Sequence, residues 1–276
     1  MAIHLGGSSR QSLAATSKAL DAELNGLPAD DASALSSDLF SVVNVLGQNV
    51  SLRRAITDPA RSAEDKSSLL SGIFGAKLSK RAMAVASKAI SLRWSAPGDL
   101  LIGMEQVAIQ AEASAANTRG QLDQLEDELF TFSRALAANQ DLRNTLNGNS
   151  DAVTEKRVLI SEVLKNATSS TKFLVGQIVN GLWGRTIENA LSDVSYATAS
   201  YRNLVVANVH SAIALSDQQK TELTKALSKQ VGQAVRINVE IDPRVLGGVS
   251  IRFRDELIDG TVISRMAEAS QALAGK

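Results

Sequence analysis

Residues 40–70 read FSVVNVLGQNVSLRRAITDPARSAEDKSSLL, and residues 130–160 read FTFSRALAANQDLRNTLNGNSDAVTEKRVLI. Written one under the other, they match Phe40 with Phe130, Leu46 with Leu136, Leu52-Arg53 with Leu142-Arg143, Lys66 with Lys156 and Leu69 with Leu159. Val85 with Val175 and Leu92 with Leu182 continue the register, and Asp65 stands against Glu155. The offset is 90 throughout (130 − 40, 182 − 92). A bias towards leucine returns a few Leu pairs, but not a Phe, an Arg and a Lys in one unbroken register. A duplicated helical domain is the better account, ahead of one long bundle of unrelated helices.

Helical grammar extends outward from this stretch. Leu13, Leu20 and Leu24 fall at helical spacing within Ser9–Leu24, and Leu35, Leu39, Val42, Val43 and Leu46 repeat the period. Pro28 suits a first helical turn, where a missing N–H costs nothing. Asp58-Pro59 interrupts, because a residue before proline avoids the helical region. Ser62 to Asp65 resembles a capping box, Gly75 suits a C-terminal cap, and Ser79 a restart. Pro97 marks another start, and Leu100 to Ala116 follows without a breaker. This last helix of copy one (98–117) falls where the first helix of copy two is due, so the copies share or abut a long helix.

After Tyr201 the period changes. Leu204–Ser211 is short and β-branched. Ser216 to Gln219 forms a capping box that opens a helix through Val231. Val235, Ile237, Val239 and Ile241 alternate with polar residues, as do Val249, Ile251 and Phe253, which predicts strands with one buried face. A final helix is expected over 260–273. The predicted fold is mainly α. Two tandem helical-bundle repeats, 1–117 and 118–203, precede a small α+β domain, 204–276, of order strand–helix–strand–strand–helix.

Composition narrows the function classes. Of 276 residues, 29 are Lys or Arg and 29 are Asp or Glu, so the chain lacks the basic surplus of a nucleic-acid or anionic-membrane binder. With no Cys, disulfides, thiolate metal sites and cysteine nucleophiles are excluded. Met1–Arg10 lacks the cationic start and apolar run of a signal peptide. No window approaches the ~18 apolar residues of a bilayer span, so membrane association is expected only through partners. His4 and His210 are the only histidines. His210 and Ser211 are strand neighbours, pointing to opposite faces, and do not make a base and nucleophile. The glycine-rich pieces 5–8 and 181–184 lack the Gly-Lys-Ser/Thr phosphate cradle. Glu240, Asp242, Asp255, Glu256 and Asp259 match no metal loop. No catalytic residue, cofactor or metal is expected.

The tail carries the most specific motifs: VHSAIALSDQQ (209–219), IDPRVLGGVSIR (241–252) and LIDGTVISRM (257–266). Asp242-Pro243 and Gly247-Gly248 supply a turn between strands, with glycine opening angles closed to other residues. Asp259-Gly260 makes a tight strand exit, and Thr261 can cap the last helix. In this order and spacing the motifs resemble the delta family of F-type ATP synthase subunits, known in mitochondria as the oligomycin-sensitivity-conferring protein. Leu52…Asp58-Pro59 with Lys66…Leu69-Leu70 resembles that family's helical domain, and Leu142…Asn149 with Lys156…Leu159-Ile160 resembles it again without the proline. The doubling departs from the ordinary family member.

The resemblance implies a non-catalytic stator subunit. In the family, a groove between the first and fifth helices clasps the N-terminal helix of the alpha subunit. Here those helices are Ser9–Leu24 and Ser79–Trp94, with Leu13, Leu20, Ile90 and Trp94 near the groove. The C-terminal domain is expected to meet the C-terminal region of the b subunit, with one copy per complex, on the cytoplasmic face of a bacterial plasma membrane. The stalk's membrane anchor is then expected in another chain. The alternative is a helical-repeat adaptor or chaperone unrelated to the synthase, which would not co-purify with synthase subunits.

Overall fold

The computed structural model describes residues 5–75, 77–148, 153–202, 205–231, 235–242, 245, 249–253 and 256–259. The chain forms two compact units, one running through Tyr201 and one beginning at Arg202. In the first unit the helices are α1 (Gly7–Leu24), α2 (Ala29–Gln48), α3 (Val50–Thr57), α4 (Ala63–Phe74), α5 (Lys80–Ser91), α6 (Pro97–Thr118), α7 (Leu122–Ala138), α8 (Gln140–Asn147), α9 (Val153–Val163), α10 (Ser169–Asn180) and α11 (Ile187–Arg202).

The duplication is present in three dimensions. α3 and α8 start and stop 90 positions apart. α1, α6 and α11 begin at Gly7, Pro97 and Ile187, so α6 closes copy one and opens copy two. Hydrogen bonds repeat with the helices. The Arg53 guanidinium donates to Leu46 O and Gly47 O, at 2.7 and 2.9 Å. Arg143 donates to Leu136 O and Ala137 O, both at 2.6 Å. The Ser79 N–H that opens α5 donates to Asp38 of α2, and the Thr168 N–H that opens α10 donates to Glu128 of α7, both at 2.9 Å. A carboxylate from the second helix of each copy thus satisfies an orphan donor at the start of the fifth.

The local signals hold where they are described. Ser62 Oγ accepts from Asp65 N and Ser79 Oγ from Ala82 N. α3 stops at Thr57, before Asp58-Pro59, and Pro97 is the first residue of α6. Pro28 sits one position earlier than expected, as the N-cap of α2. Gly75 is the C-cap of α4 but in the right-handed region (φ −54°), so that helix ends without a left-handed cap.

α6 is buried around most of its circumference, with Leu100, Met104, Val107, Ile109 and Ala113 inside and Glu105 and Glu112 buried too. A helix apolar on all sides belongs in a core. It packs on α1, α2, α3 and α5 of copy one and on α7 and α10 of copy two. One hydrophobic cluster, from Leu20 to Tyr201, runs through both copies. Each fully buried Leu or Met in it contributes roughly 1.5–3 kcal/mol. Trp94 packs its ring over Gly103 and donates its indole N–H to Ala89 O at 2.8 Å. Trp183 takes a left-handed backbone (φ 51°) and lies over Gly47 and Gly181, where a Cβ would come within 2.4 and 2.1 Å of its ring.

The second unit holds β1 (Val205–Ser211), α12 (Asp217–Val231), β2 (Val235–Ile241), β3 (Val249–Phe253) and β4 (Glu256–Asp259). Its sheet has the order β2-β1-β3-β4, with β1 and β2 parallel and the other pairs antiparallel. Parallel neighbours need a crossover, and α12 provides it. The box that opens α12 is reciprocal: Ser216 Oγ accepts from Gln219 N, and Gln219 Oε1 accepts from Ser216 N. Val209, Leu227, Val235 and Ile251 form the core. Ile241 departs from the alternation. It is the last residue of β2, beyond the buried cluster, and is 56% exposed. β4 is a strand where the sequence had suggested only a strand exit. Pro243, Gly247, Gly248, Gly260, Thr261 and the helix expected over 260–273 lie outside the described residues.

Candidate docking site

α1 and α5 pack closely because their facing stripes are small. Ser12 and Thr16 of α1 and Ala82, Ala86 and Ala89 of α5 are buried. Three serines fasten the start of α1 to the segment after α5. Ser9 Oγ accepts from Ser95 N at 2.8 Å and donates to Asp99 at 2.6 Å, Ser12 Oγ donates to Arg93 O at 2.6 Å, and Ser8 pairs with Ser95. At the other end Arg81 meets Glu23 at 3.2 Å, an exposed pair worth little.

The four residues expected near this groove sit lower than a rim. Leu20, Ile90 and Trp94 are buried in the core and Leu13 is half-buried against it. Ile90 also borders a shallow groove of about 480 Å³ between α4 and α5, with Ala63, Ser67 and Ser87. The outer surface of the pair presents Ala14, Lys18 and Ala22 from α1 and Ala84 and Lys88 from α5. Sequence reasoning missed these. Their signal was alanine on the outward side of two amphipathic helices.

The corresponding pair in copy two, α6 and α10, is covered by α2. Phe40 meets Phe173 edge-on, with ring centroids 5.6 Å apart at 78°. Ser36 Oγ donates to Ala108 O at 2.7 Å. Glu112 of α6 accepts from Ser33 of α2 and Ser170 of α10, with Arg119 at 3.6 Å. Phe40 is 3% exposed, whereas its sequence partner Phe130 is 64% exposed. The α9/α10 groove, about 530 Å³, is lined by Arg157, Lys165 and Lys172, whereas the one charged residue lining its counterpart between α4 and α5 is Glu64.

α6 is also tied to the start of α11. Both guanidinium Nη atoms of Arg185 reach Glu105 at 2.8 Å, and Nη1 reaches Asp193 at 2.9 Å. Burial opposes the charge on Arg185, but the hydrogen bond and charge of Glu105, then Asp193, overcome this and hold its pKa above the usual value.

In the second unit, β1 and β2 end together, with Ser211 opposite Ile241. Asp242 N donates to Ser211 O at 2.9 Å and Asp242 O accepts from Val245 N at 3.0 Å, so Asp242 opens the expected turn. Asp259 closes β4 opposite Ser250. Ile213, at 71% exposure, and Ile241 are the exposed large apolar residues described in this unit. Ser211 is buried and His210 half-buried, in register with Glu240 and Ser250.

A sequence profile of the ATP synthase delta (OSCP) subunit matches residues 110–273, from the second half of α6 through copy two and the sheet unit. The chain belongs to the ATP synthase delta family. The alternative of an adaptor unrelated to the synthase is thereby set aside. Among similar proteins, "ATP synthase subunit delta" of Streptomyces coelicolor (strain ATCC BAA-471 / A3(2) / M145) is 39% identical over 269 residues, 97% of this chain and 98% of that protein. The delta subunit of Thermobifida fusca (strain YX) is 37% identical over 270 residues, 98% and 99% of the two chains. Since these matches span both chains almost fully, this delta chain shares its length, and the region of copy one, with them.

Proposed function

We propose that this delta chain is the non-catalytic connector of the peripheral stalk in a proton-translocating F-type ATP synthase. It links the alpha/beta head to the membrane-anchored b subunit, so that rotor torque is coupled to ATP synthesis. Copy one, residues 1–117, takes the N-terminal helix of the alpha subunit on the outer face of α1 and α5. Copy two, 118–203, extends the connector. The unit over 204–276 meets the C-terminal region of b. The chain works as one copy per complex, at the cytoplasmic face of a bacterial plasma membrane, reaching the membrane only through its partners.

The observation that carries the choice of copy is the contrast between equivalent helix pairs. α6 and α10 already have α2 packed on them through Phe40, whereas among the described helices of the first unit none covers the outer face of α1 and α5, where Ala14, Ala22 and Ala84 lie exposed beside Lys18 and Lys88. An amphipathic helix buries its apolar stripe best where small residues let it approach. For b, Ile213 and Ile241 offer apolar anchors at the sheet end. An interface under torque is served by slow dissociation.

The test is calorimetry of the full chain with a peptide copying the alpha subunit's N-terminus. Saturable binding is expected, with Ala14→Glu weakening it at least tenfold. Absence of binding to the unsubstituted chain would refute the clasp. Turnover of ATP by the purified chain would refute the connector role itself.

A further inference from the structure

At the end of copy one where α3 and α5 stop and α1, α4 and α6 start, the surface opens into a cleft of about 1150 Å³. Four cations line it: Arg54 from α3, Arg61 from the loop that follows, Lys66 from α4 and Arg93 from the segment after α5. Asp58 is the single acidic residue in its lining. Three helix N-termini and two C-termini meet there, so the backbone dipoles largely offset one another and the side chains set the sign. The rest of the wall includes Trp94, Leu92 and Pro97.

Lys66 makes the cleft more than a patch of surface charge. It is 7% exposed, yet its Nζ makes no hydrogen bond or ion pair among the described residues. Its equivalent in copy two, Lys156, is equally buried but donates to Leu146 O at 2.9 Å and Gly148 O at 3.0 Å. Asp58-Pro59 stands in copy one where copy two has Gly148-Asn149, and there the lysine is left without that anchorage. The Lys66 stem is buried while its ammonium is not among the enclosed unpartnered atoms and lines the cleft, where it can meet an anion supplied by an occupant. The other cations also belong to copy one alone. Arg54, Arg61 and Arg93 correspond to Asn144, Asp151 and Trp183.

We propose that this cleft binds an acidic segment of a partner chain, with one carboxylate on Lys66 and others on the three arginines. The cleft is larger than the roughly 300–1,000 Å³ that holds a drug-sized ligand, and its cations come from four separate segments. That suits an extended chain with several carboxylates better than a single small anion. Trp94, Leu92 and Pro97 offer apolar contact between the charges. This site is separate from the outer face of α1 and α5, and the proposal stands independently of which partner docks there.

The test uses the full chain and a blocked hexaglutamate peptide, titrated by calorimetry, with sodium pyrophosphate at matched ionic strength as comparison. Saturable hexaglutamate binding is expected. Lys66→Gln should raise Kd at least tenfold, and Arg93→Gln, at an exposed position, should raise it several-fold. Lys172→Gln, in the basic α9/α10 groove, should leave it unchanged. In a Trp183→Phe background, Trp94 is the sole tryptophan, and its emission should shift with the same Kd. No saturable binding, or an unchanged Kd in both the Lys66 and Arg93 variants, would overturn the proposal. So would pyrophosphate binding as tightly as the peptide, since the site would then be a phosphate site.

Discussion

Removing Arg185 should destabilise the helical unit more than removing either carboxylate it serves. Arg185→Met leaves Glu105 and Asp193, 8% and 14% exposed, without their shared cation. Breaking a buried pair from one side costs about 3–5 kcal/mol. Glu105→Gln keeps the shape and one acceptor, and Asp193 still holds the guanidinium, so about 2–3 kcal/mol is expected. Asp193→Asn loses one contact of three and should cost about 1–2 kcal/mol. Urea unfolding followed at 222 nm reports mainly on the helices, and a shift in midpoint at constant slope measures the change. At about 2–4 °C per kcal/mol for a unit of this size, Arg185→Met should lower Tm by roughly 6–20 °C. An Arg185→Met cost below about 1 kcal/mol, or one smaller than that of Asp193→Asn, would refute the idea that this triad locks α11 to α6.

Three further outcomes follow from the geometry. Phe40→Ala should cost about 3–5 kcal/mol and Phe130→Ala less than about 0.5, although the sequence pairs them; equal losses in thermal unfolding would contradict the covered and open faces. Gly103→Ala places a Cβ 2.4 Å from the Trp94 ring, which is pinned through its N–H, so a loss of about 1–3 kcal/mol and a change in tryptophan emission are expected; a silent substitution would mean the ring is free to move. Burial alone would raise the Glu128 pKa, but hydrogen bonds from Thr171, Thr168 and Gln124 hold it below the usual glutamate range. Its contribution to stability is therefore present above about pH 4.3 and lost as pH falls through the lower folded value. Glu128→Gln should be less stable than the parent at neutral pH, with the gap closing below pH ~4 in pH-dependent urea melts; a gap constant down to pH 3 would show that the charge plays no part.

Much of the fold could be read from local signals. The 90-residue offset anticipated a second set of helices and the shared α6, and Ser79, Pro97 and Ser216 marked helix starts because caps act within one turn. The fates of Phe40 and Phe130 could not be read that way. Periodicity says which face of a helix is apolar, not whether another helix covers it, and only copy one has a following copy to do so. Nor does periodicity give depth: Leu20, Ile90 and Trp94, expected near the groove, are buried against the core. The Arg185–Glu105 pair spans eighty positions of sequence, and nothing local announces it.

The shared helix has a mechanical consequence. A connector made of two modules joined by a linker would yield first at the linker or at the seam between the modules. Here the 22 residues of α6 form a strut about 33 Å long, threaded through both copies. Pulling the copies apart means fracturing that strut or stripping a helix out of a common core, so they should resist strain as one beam and fail together.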